Sequence, residues 1–210
     1  MIEHRLKVLR EAMARAELDA LVIPRADEYL GEYLPPHNER LRWATGFTGS
    51  AGMAIILRDK AAIFVDGRYR VQVRQQVSAT LFEYHHLLEE PHLAWLAASL
   101  APGARVGCDP RLHTPSWFDL ASSTLAAAGM SLQASANNLI DVCWNDRPPA
   151  TVEPALLLGM EYSGESSLAK RQRVGAMVAA TGADVALIFA PDSISWLLNV
   201  RGTDVPMMPV

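Results

Sequence analysis

The sequence predicts an α/β fold, in which a domain with a mixed central sheet flanked by helices is followed by the start of a second, similar domain. Amphipathic helical segments alternate with short apolar runs along the 210 residues, which is typical of helices packed on a sheet. A pair of apolar runs follows a glycine-rich loop, and a helix–strand unit occurs twice. We therefore expect a domain at residues 1–150, a linker at 151–164 and an incomplete second domain at 165–210.

The repeated unit is an amphipathic helix that leads to an aspartate and then to an apolar run. It occurs first at residues 5–24 and again at 170–189. Helix–strand pairs are common in α/β proteins, so chance similarity stays open. However, each copy is followed by a tryptophan and a loop that contains glycine, at Trp43 and Trp196, and this favours duplication. We expect residues 165–189 to superpose on 5–24, with a strand at 184–189.

The glycine-rich loop precedes what we predict to be a strand pair. Gly46, Gly49 and Gly52 fall within seven residues, which indicates a constrained loop. The apolar runs at 53–57 and 61–65 are predicted strands, and the charged residues between them form the turn. A phosphate-binding loop would end in Gly-Lys-Ser/Thr and open a helix, which this loop does not. A nucleophile elbow would need a glycine two residues before Ser50, where Thr48 stands. A structural turn that binds nothing remains an open alternative.

The remaining elements of the first domain alternate in the same way. Thr114 is a predicted N-cap, with Pro115 at the first helical position, and Gly129 is predicted to end that helix. Residues 138–149, which finish in Pro-Pro, are predicted to close the domain. The predicted elements in chain order are a strand at 80–84, a helix at 92–100, a strand at 105–108, a helix from 115 to about 128 and a strand at 131–134.

The dipeptide Asp66-Gly67 supports two interpretations. Taken alone, Asp-Gly favours a two-residue hairpin turn with an alternating strand after it. The spacing of Tyr69, Val73 and Val77 also fits one face of a helix, and the glutamines between them suit a helix surface. We predict the helix.

Composition excludes several classes of protein. Hydrophobic residues make up 50% of the chain and charged residues 20%, which is ordinary for a globular protein. The net charge of −4 gives no basic footprint, so we expect no nucleic-acid partner. No apolar run reaches the roughly 20 residues that cross a bilayer, and the first residues do not resemble a secretory signal, so we expect no membrane partner. Two distant cysteines, Cys108 and Cys143, favour a reduced, cytoplasmic setting.

Patterns that would carry chemistry are sparse, and we expect neither a catalytic residue nor a metal ligand in this chain. The six histidines form no His-x-x-x-His pair and no HExxH motif. The densest group of potential ligands is His85, His86, Glu89, Glu90 and His92, for which an exposed polar segment is the simpler explanation. The spacing Ser167-x-x-Lys170 matches a serine–lysine motif, but the companion motifs are absent and helix capping explains it better.

The glycine loop and its surroundings resemble the N-terminal domain of the Xaa-Pro aminopeptidases, which share a superfamily with prolidase and creatinase. The residues that carry the resemblance are Glu39-Arg40, Trp43, the heptapeptide GFTGSAG at 46–52 and Asp66-Gly67-Arg68-Tyr69. The resemblance covers essentially the whole chain. It implies two similar N-terminal α/β domains before a C-terminal catalytic domain, which holds two divalent ions (Mn or Zn) and cleaves the bond preceding proline.

The resemblance also implies a role for this chain. It would be inactive alone and would serve dimerisation and the shaping of active-site access. Its partners would be its own catalytic domain, a second subunit in a homodimer and the peptide substrate. The candidate substrate-access residues are Phe47, Arg68 and Tyr69, with a purely structural corner as the alternative: Asp66 capping the helix and Arg68 pairing with a nearby acid. A prolidase or creatinase relative, or a non-catalytic protein-binding module such as a histone-chaperone subunit, would fit the same residues.

Overall fold

A computed structural model describes residues 1–208 and 210 of the chain. Contacts divide it into two compact units, one formed by residues 1–32 and 37–148 and the other by 33–36 and 149–210. The helices and strands of the first unit are α1 (Ile2–Arg15), β1 (Ala20–Pro24), α2 (Arg40–Thr45), β2 (Met53–Leu57), β3 (Ala61–Val65), α3 (Arg70–Gln76), β4 (Glu83–His86), α4 (His92–Ser99), β5 (Arg105–Cys108), α5 (Pro115–Ala127), β6 (Ser131–Ala134) and α6 (Leu139–Cys143).

The first unit is a three-layer α/β/α sandwich around a six-stranded mixed sheet. The strand order is β4-β3-β2-β1-β5-β6. Strand β2 runs antiparallel to both β1 and β3, whereas the pairs β1/β5, β5/β6 and β3/β4 are parallel. Five strands therefore point the same way, and their carboxyl ends share one edge of the sheet. The predicted fold class is confirmed.

The sheet is buried on both faces, which explains why its central strands are continuous apolar runs. All five positions of β1, β2 and β3 are buried. Alternate side chains point to opposite faces, so that Leu21 and Ile23 join one core with α1, α2, α3 and α6, while Val22 joins the other with α4 and α5. Both cores are needed to cover the sheet.

Most predicted element boundaries agree with the structure. The Thr114 hydroxyl accepts a hydrogen bond of 3.2 Å from the Trp117 amide, which caps α5 as expected. Gly129 follows that helix with φ of +74°, a left-handed conformation that favours glycine. After Asp66 the chain forms a 3₁₀ turn (Gly67–Tyr69) and then α3, so the predicted helix is correct and the hairpin alternative is not.

The predicted strand at 80–84 lies too early in the chain. The observed β4 spans Glu83–His86. The amides of Leu81 and Phe82 both donate to the Ser78 carbonyl at 3.1 and 3.0 Å, which makes this segment a turn. A local turn competes with strand pairing for the same backbone groups, and here it delays the strand by three residues.

The second unit contains β7 (Leu156–Leu157), α7 (Met160–Ser163), α8 (Ser167–Ala180), α9 (Pro191–Leu198) and β8 (Val200–Arg201). The segment 151–164, predicted as a linker, thus carries β7, which pairs with β8, and the short helix α7. The helix of the predicted repeat forms as α8, but the strand expected at 184–189 does not: residues 185–189 have no regular structure. A strand requires a neighbour to accept its backbone hydrogen bonds, and among the described residues none pairs with this segment.

A buried arginine fixes the loop after β1. Arg40 is 1% exposed and forms a bidentate salt bridge with Asp141 of α6. Its Nε donates to Oδ1 at 2.7 Å and its Nη2 donates to Oδ2 at 3.0 Å. Its Nη2 also contacts Glu28 at 3.0 Å. Removing one partner of such a buried pair leaves an uncompensated charge, which typically costs about 3–5 kcal/mol. The loop at the carboxyl end of β1 is therefore held in place.

A stack of aromatic rings between α4 and α5 partly buries two histidines, His92 and His113. His113 stacks on Trp117 with ring centroids 3.6 Å apart, and its Nε2 is buried without a partner among the described residues. Burial, together with the charge of His92, lowers the pKa of His113 to about 4. Burial also lowers the pKa of His92, whose Nε2 accepts a hydrogen bond of 3.1 Å from Trp117. The fold thus favours the neutral form of both rings.

We expect acid to weaken the first unit through His113. In the unfolded chain this residue takes up a proton near pH 6.5, but in the fold only near pH 4. The neutral ring therefore contributes fully to the free energy of unfolding above pH 6.5. As the pH falls to 4 this contribution is lost, which lowers the free energy of unfolding by up to about 3 kcal/mol. Urea unfolding at a series of pH values measures this. His113→Phe keeps the stacking and should make the free energy of unfolding depend less on pH between 6.5 and 4, with His92 leaving a smaller slope, whereas His4→Phe on the exposed face of α1 should leave the dependence unchanged. Equal slopes for both variants would contradict the assignment.

Candidate functional site

The predicted access residues lie at a corner where β3 ends on the carboxyl edge of the sheet. Asp66 follows β3 directly and caps the 3₁₀ turn, since its Oδ1 accepts from the Arg68 amide at 2.9 Å. The chain turns there because the aspartate side chain satisfies a backbone donor that the strand can no longer pair. The corner is thus built by the local sequence.

Asp66 also holds the Arg68 side chain. The guanidinium Nη2 donates to Asp66 Oδ2 at 2.8 Å, and Nε lies 3.2 Å from both carboxylate oxygens. This pairing lowers the pKa of Asp66 and raises that of Arg68. The Arg68 side chain is still 65% exposed, so the outer edge of its fork remains available to solvent or to a ligand. The corner thereby offers a hydrogen-bond donor in a restrained position.

Tyr69 joins this corner to the glycine loop. Its hydroxyl shares a hydrogen bond of 2.6 Å with Ser50 Oγ, which lowers the pKa of Tyr69. Its ring meets Phe47 edge to face, with centroids 5.5 Å apart, and the Arg68 guanidinium lies 5.1 Å from the Tyr69 ring centroid. The structure therefore brings all three predicted residues together in one series of contacts. Phe47 is 1% exposed and lies beneath the loop, so its influence on the surface passes through Tyr69.

The glycine loop can pass over the Phe47 ring only because position 49 has no side chain. A Cβ placed on Gly49 would lie 2.2 Å from Phe47 Cζ and 2.9 Å from Tyr69 Cδ1, both too close for any real contact. The loop is also tied to α3, where Gln76 Oε1 accepts from the Thr48 amide at 2.9 Å. These contacts connect the loop, the corner and the helix to one another.

A second corner of the same construction follows β5 and was missed in the sequence analysis. Asp109 accepts from the Arg111 amide at 3.1 Å, from its Nε at 3.0 Å and from its Nη2 at 2.8 Å. Burial alone would raise the pKa of Asp109, but hydrogen bonds from Arg111 and Asn138 lower it below its usual range. The recognisable signal was Asp-x-Arg directly after an apolar strand, at both 66–68 and 109–111.

The place where open α/β sheets commonly bind ligands is filled in this unit. That place is the carboxyl edge between β1 and β5, where the chain switches from one side of the sheet to the other. Leu112, Leu139 and Ile140 line it together with Asp109 and Asn138, and the cavity that remains measures about 10 Å³. This is the volume of about one water molecule, so no organic ligand fits there.

The histidine–glutamate segment does not assemble into a metal site. His85 Nδ1 lies 2.6 Å from Glu90 and its Nε2 lies 3.3 Å from Glu83, while His92 faces Trp117 instead. Among residues 1–208 and 210, no three His, Cys, Asp or Glu side chains converge as metal ligands. The residues present therefore do not fit the two divalent ions of the resembled enzymes.

Lys170, in the second unit, donates to Asn199 Oδ1 at 2.7 Å and to the Trp196 carbonyl at 3.0 Å, so it holds the end of α9. No helix of the described chain has the length and apolar character to span a membrane.

Comparison with known proteins gives this architecture a family. Residues 5–142 match the family described as Creatinase/Prolidase N-terminal domain, and residues 146–210 match a second family of the same description. The chain belongs to the creatinase/prolidase N-terminal domain family.

Among individual proteins, it is similar to several Xaa-Pro aminopeptidases. It is 33% identical to Xaa-Pro aminopeptidase 2 of Rattus norvegicus, over 98% of this chain and 31% of that protein. It is 35% identical to Xaa-Pro aminopeptidase ApepP of Drosophila melanogaster, over 96% of this chain and 34% of that protein. The X-prolyl aminopeptidase of Caenorhabditis elegans, a cytosolic enzyme with a di-nuclear active site, superposes with a TM-score of 0.89 at 27% identity, over 100% of this chain and 36% of that one. The chain thus spans about a third of the length of the relatives it matches.

We expect Gly49→Ala to destabilise the first unit through the Phe47 contact. Forcing a methyl group into a packed site commonly costs about 1–3 kcal/mol, because neighbouring side chains must leave their preferred rotamers. Gly67→Ala is a matched control from the same corner, since its nearest neighbour, His86 Nε2, would lie 3.7 Å away. The free energy of unfolding of that variant should lie within about 0.5 kcal/mol of the value for the parent chain. Urea unfolding measures the free energy of unfolding of both variants. Equal values for Gly49→Ala and Gly67→Ala would contradict the close packing of Gly49 on Phe47.

Proposed function

We propose that this chain is the non-catalytic N-terminal part of a metal-dependent Xaa-Pro aminopeptidase, an enzyme that removes the residue preceding proline. The observation that carries the proposal is the similarity to such enzymes over 96–98% of this chain, at 33–35% identity, in which this chain accounts for only about a third of each relative. The remaining two thirds are the natural place for the metal centre, because no ligand set converges in the described part of this chain.

The chemistry of the corner supports an access role rather than a catalytic one. Arg68 is a donor without an acceptor group, and its pKa is raised further by Asp66, so it cannot serve as a base. Within the described residues, Ser50 Oγ has the Tyr69 hydroxyl as its partner, and no histidine or carboxylate bonds to it to activate it as a nucleophile. A restrained guanidinium beside a tyrosine ring is suited to holding a peptide carbonyl or carboxylate by hydrogen bonds.

In the whole enzyme, this chain would have three kinds of partner. They are its own catalytic domain, a second subunit in a homodimer, and the peptide substrate, which passes the corner at Arg68 and Tyr69. The metals, Mn or Zn, would be held by the catalytic domain and would activate the attacking water there. The enzyme would act in the cytoplasm, in line with the cytosolic enzyme of Caenorhabditis elegans that it resembles.

We expect the 210-residue chain to release no N-terminal residue from an Xaa-Pro peptide, with Mn²⁺ or Zn²⁺ present. The reason is that the described residues supply neither a metal site nor an activated nucleophile. The full-length gene product should release the residue under the same conditions, and the Caenorhabditis elegans enzyme is a positive control. Amino-acid release measured by mass spectrometry, together with calorimetry for both metals, tests this.

Two results would contradict the proposal. Turnover by the rigorously purified 210-residue chain would show an active site within it. A full-length gene product that cleaves no Xaa-Pro peptide would remove the peptidase assignment itself.

A further inference from the structure

A polar cleft lies between α3 and the outer strand β4, next to the Arg68 corner. Its volume is about 380 Å³, within the range of small-molecule sites. Val73 and Tyr84 belong to its inner wall, and Arg70 and Arg74 stand one helical turn apart on α3. The cleft shares no lining residue with the filled cavity between β1 and β5.

The basic groups of this cleft have unused hydrogen-bond donors. Arg74 is exposed and forms neither a hydrogen bond nor an ion pair with any described residue; its guanidinium lies 6.0 Å from the Tyr84 ring centroid. His86 Nδ1 accepts from the Glu89 amide at 3.2 Å, so the proton of the neutral ring is on Nε2, which is left as a donor. Arg70 uses one nitrogen, Nη2, on Glu89 at 2.9 Å. Arg74, His86 and Arg70 therefore offer several N–H groups to a ligand.

Two acids stand beside these donors: Glu90 lines the cleft, and Glu89, which pairs with Arg70 at 2.9 Å, also lies 3.8 Å from His86 Nδ1. Glu90 Oε2 lies 2.6 Å from His85 Nδ1, and its Oε1 accepts from the His86 amide at 3.0 Å. These bonds lower the pKa of Glu90 and keep both oxygens occupied. Both acids are engaged by these partners, whereas Arg74 has neither a hydrogen bond nor an ion pair with any described residue. The guanidinium of Arg74 is therefore the group of this cleft that is left to bind an anion.

We propose that this cleft binds a carboxylate. The planar fork of Arg74 matches the two oxygens of a carboxylate, and His86 Nε2 supplies a further donor. The carboxylate would come either from the free C-terminus of a peptide or from an acidic side chain within one. The proposal does not depend on the peptidase assignment, since binding is measured on the 210-residue chain without turnover.

The experiment is an NMR titration of the ¹⁵N-labelled 210-residue chain with three blocked peptides. Acetyl-Gly-Pro-Gly as the free acid tests a C-terminal carboxylate, acetyl-Gly-Glu-Gly-amide tests a side-chain carboxylate, and acetyl-Gly-Pro-Gly-amide has neither. At least one of the two acids should shift the amides of residues 70–74 and 84–90 in a saturable way, with a Kd on the order of 1 mM. The neutral amide should bind at least tenfold more weakly. The acid that binds more tightly identifies the source.

Variants locate the site. Arg74→Gln should weaken binding at least tenfold, Arg74→Lys should restore only part of it because the fork is lost, and His86→Phe should weaken it to a lesser degree. Arg58→Gln is the matched control, because Arg58 is similarly exposed, pairs with Asp19 at 3.0 Å and lies in the turn after β2. The proposal is overturned if neither acid produces saturable shifts at these residues. Equal binding of the neutral amide, or equal losses in Arg74→Gln and Arg58→Gln, would overturn it as well.

Discussion

The packing of the glycine loop over Phe47 is the contact on which the position of the Arg68 corner depends. Phe47 fills the core below the loop, and Gly49 leaves the space through which the chain passes above the ring. Tyr69 packs against the same ring and bonds to Ser50, so the corner that carries Arg68 is positioned by the loop that precedes β2. Two segments separated in sequence are thereby joined before any ligand arrives, which lowers the entropic cost of binding at that corner.

The sheet topology explains why the candidate access residues lie on the carboxyl edge of the sheet and not in the crevice between β1 and β5. Parallel strands bring their carboxyl ends together, and the corners after β3 and β5 stand about 14 Å apart, three strand spacings. The crevice between β1 and β5 is closed by Leu112 and Ile140. Charged Asp–Arg pairs border this closed edge, and such groups are suited to positioning a neighbouring molecule rather than enclosing a small ligand.

The sequence predicted the elements whose cause is local and failed where the cause is remote. The Thr114 cap, the Gly129 terminus and the helix after Asp66 each follow from side chains within a few residues, and each is observed. The strand at 184–189 depended on neighbours that no local pattern supplies, and it has none among the described residues. Likewise, the burial of Phe47 arises from tertiary contacts. The Arg111 corner, in contrast, had a local signal, Asp-x-Arg directly after an apolar strand, that could have found it. Family resemblance located the candidate corner, but only the folded structure connects its three residues.

The central claim, that the Arg68 corner guides peptides into the active site of a full-length enzyme, is tested most directly by comparing Arg68→Ala with Arg111→Ala in that enzyme. Both variants lose an Asp–Arg pair, but the fall in melting temperature should be small for Arg68→Ala and larger for Arg111→Ala, because the Asp109 side chain is 3% exposed and the Asp66 side chain 19%. Only Arg68→Ala should raise KM, and more for longer peptides than for dipeptides, with kcat nearly unchanged, because a binding contact has been removed. Unchanged KM in Arg68→Ala, or an equal rise in both variants, would contradict the account and leave the corner a structural element.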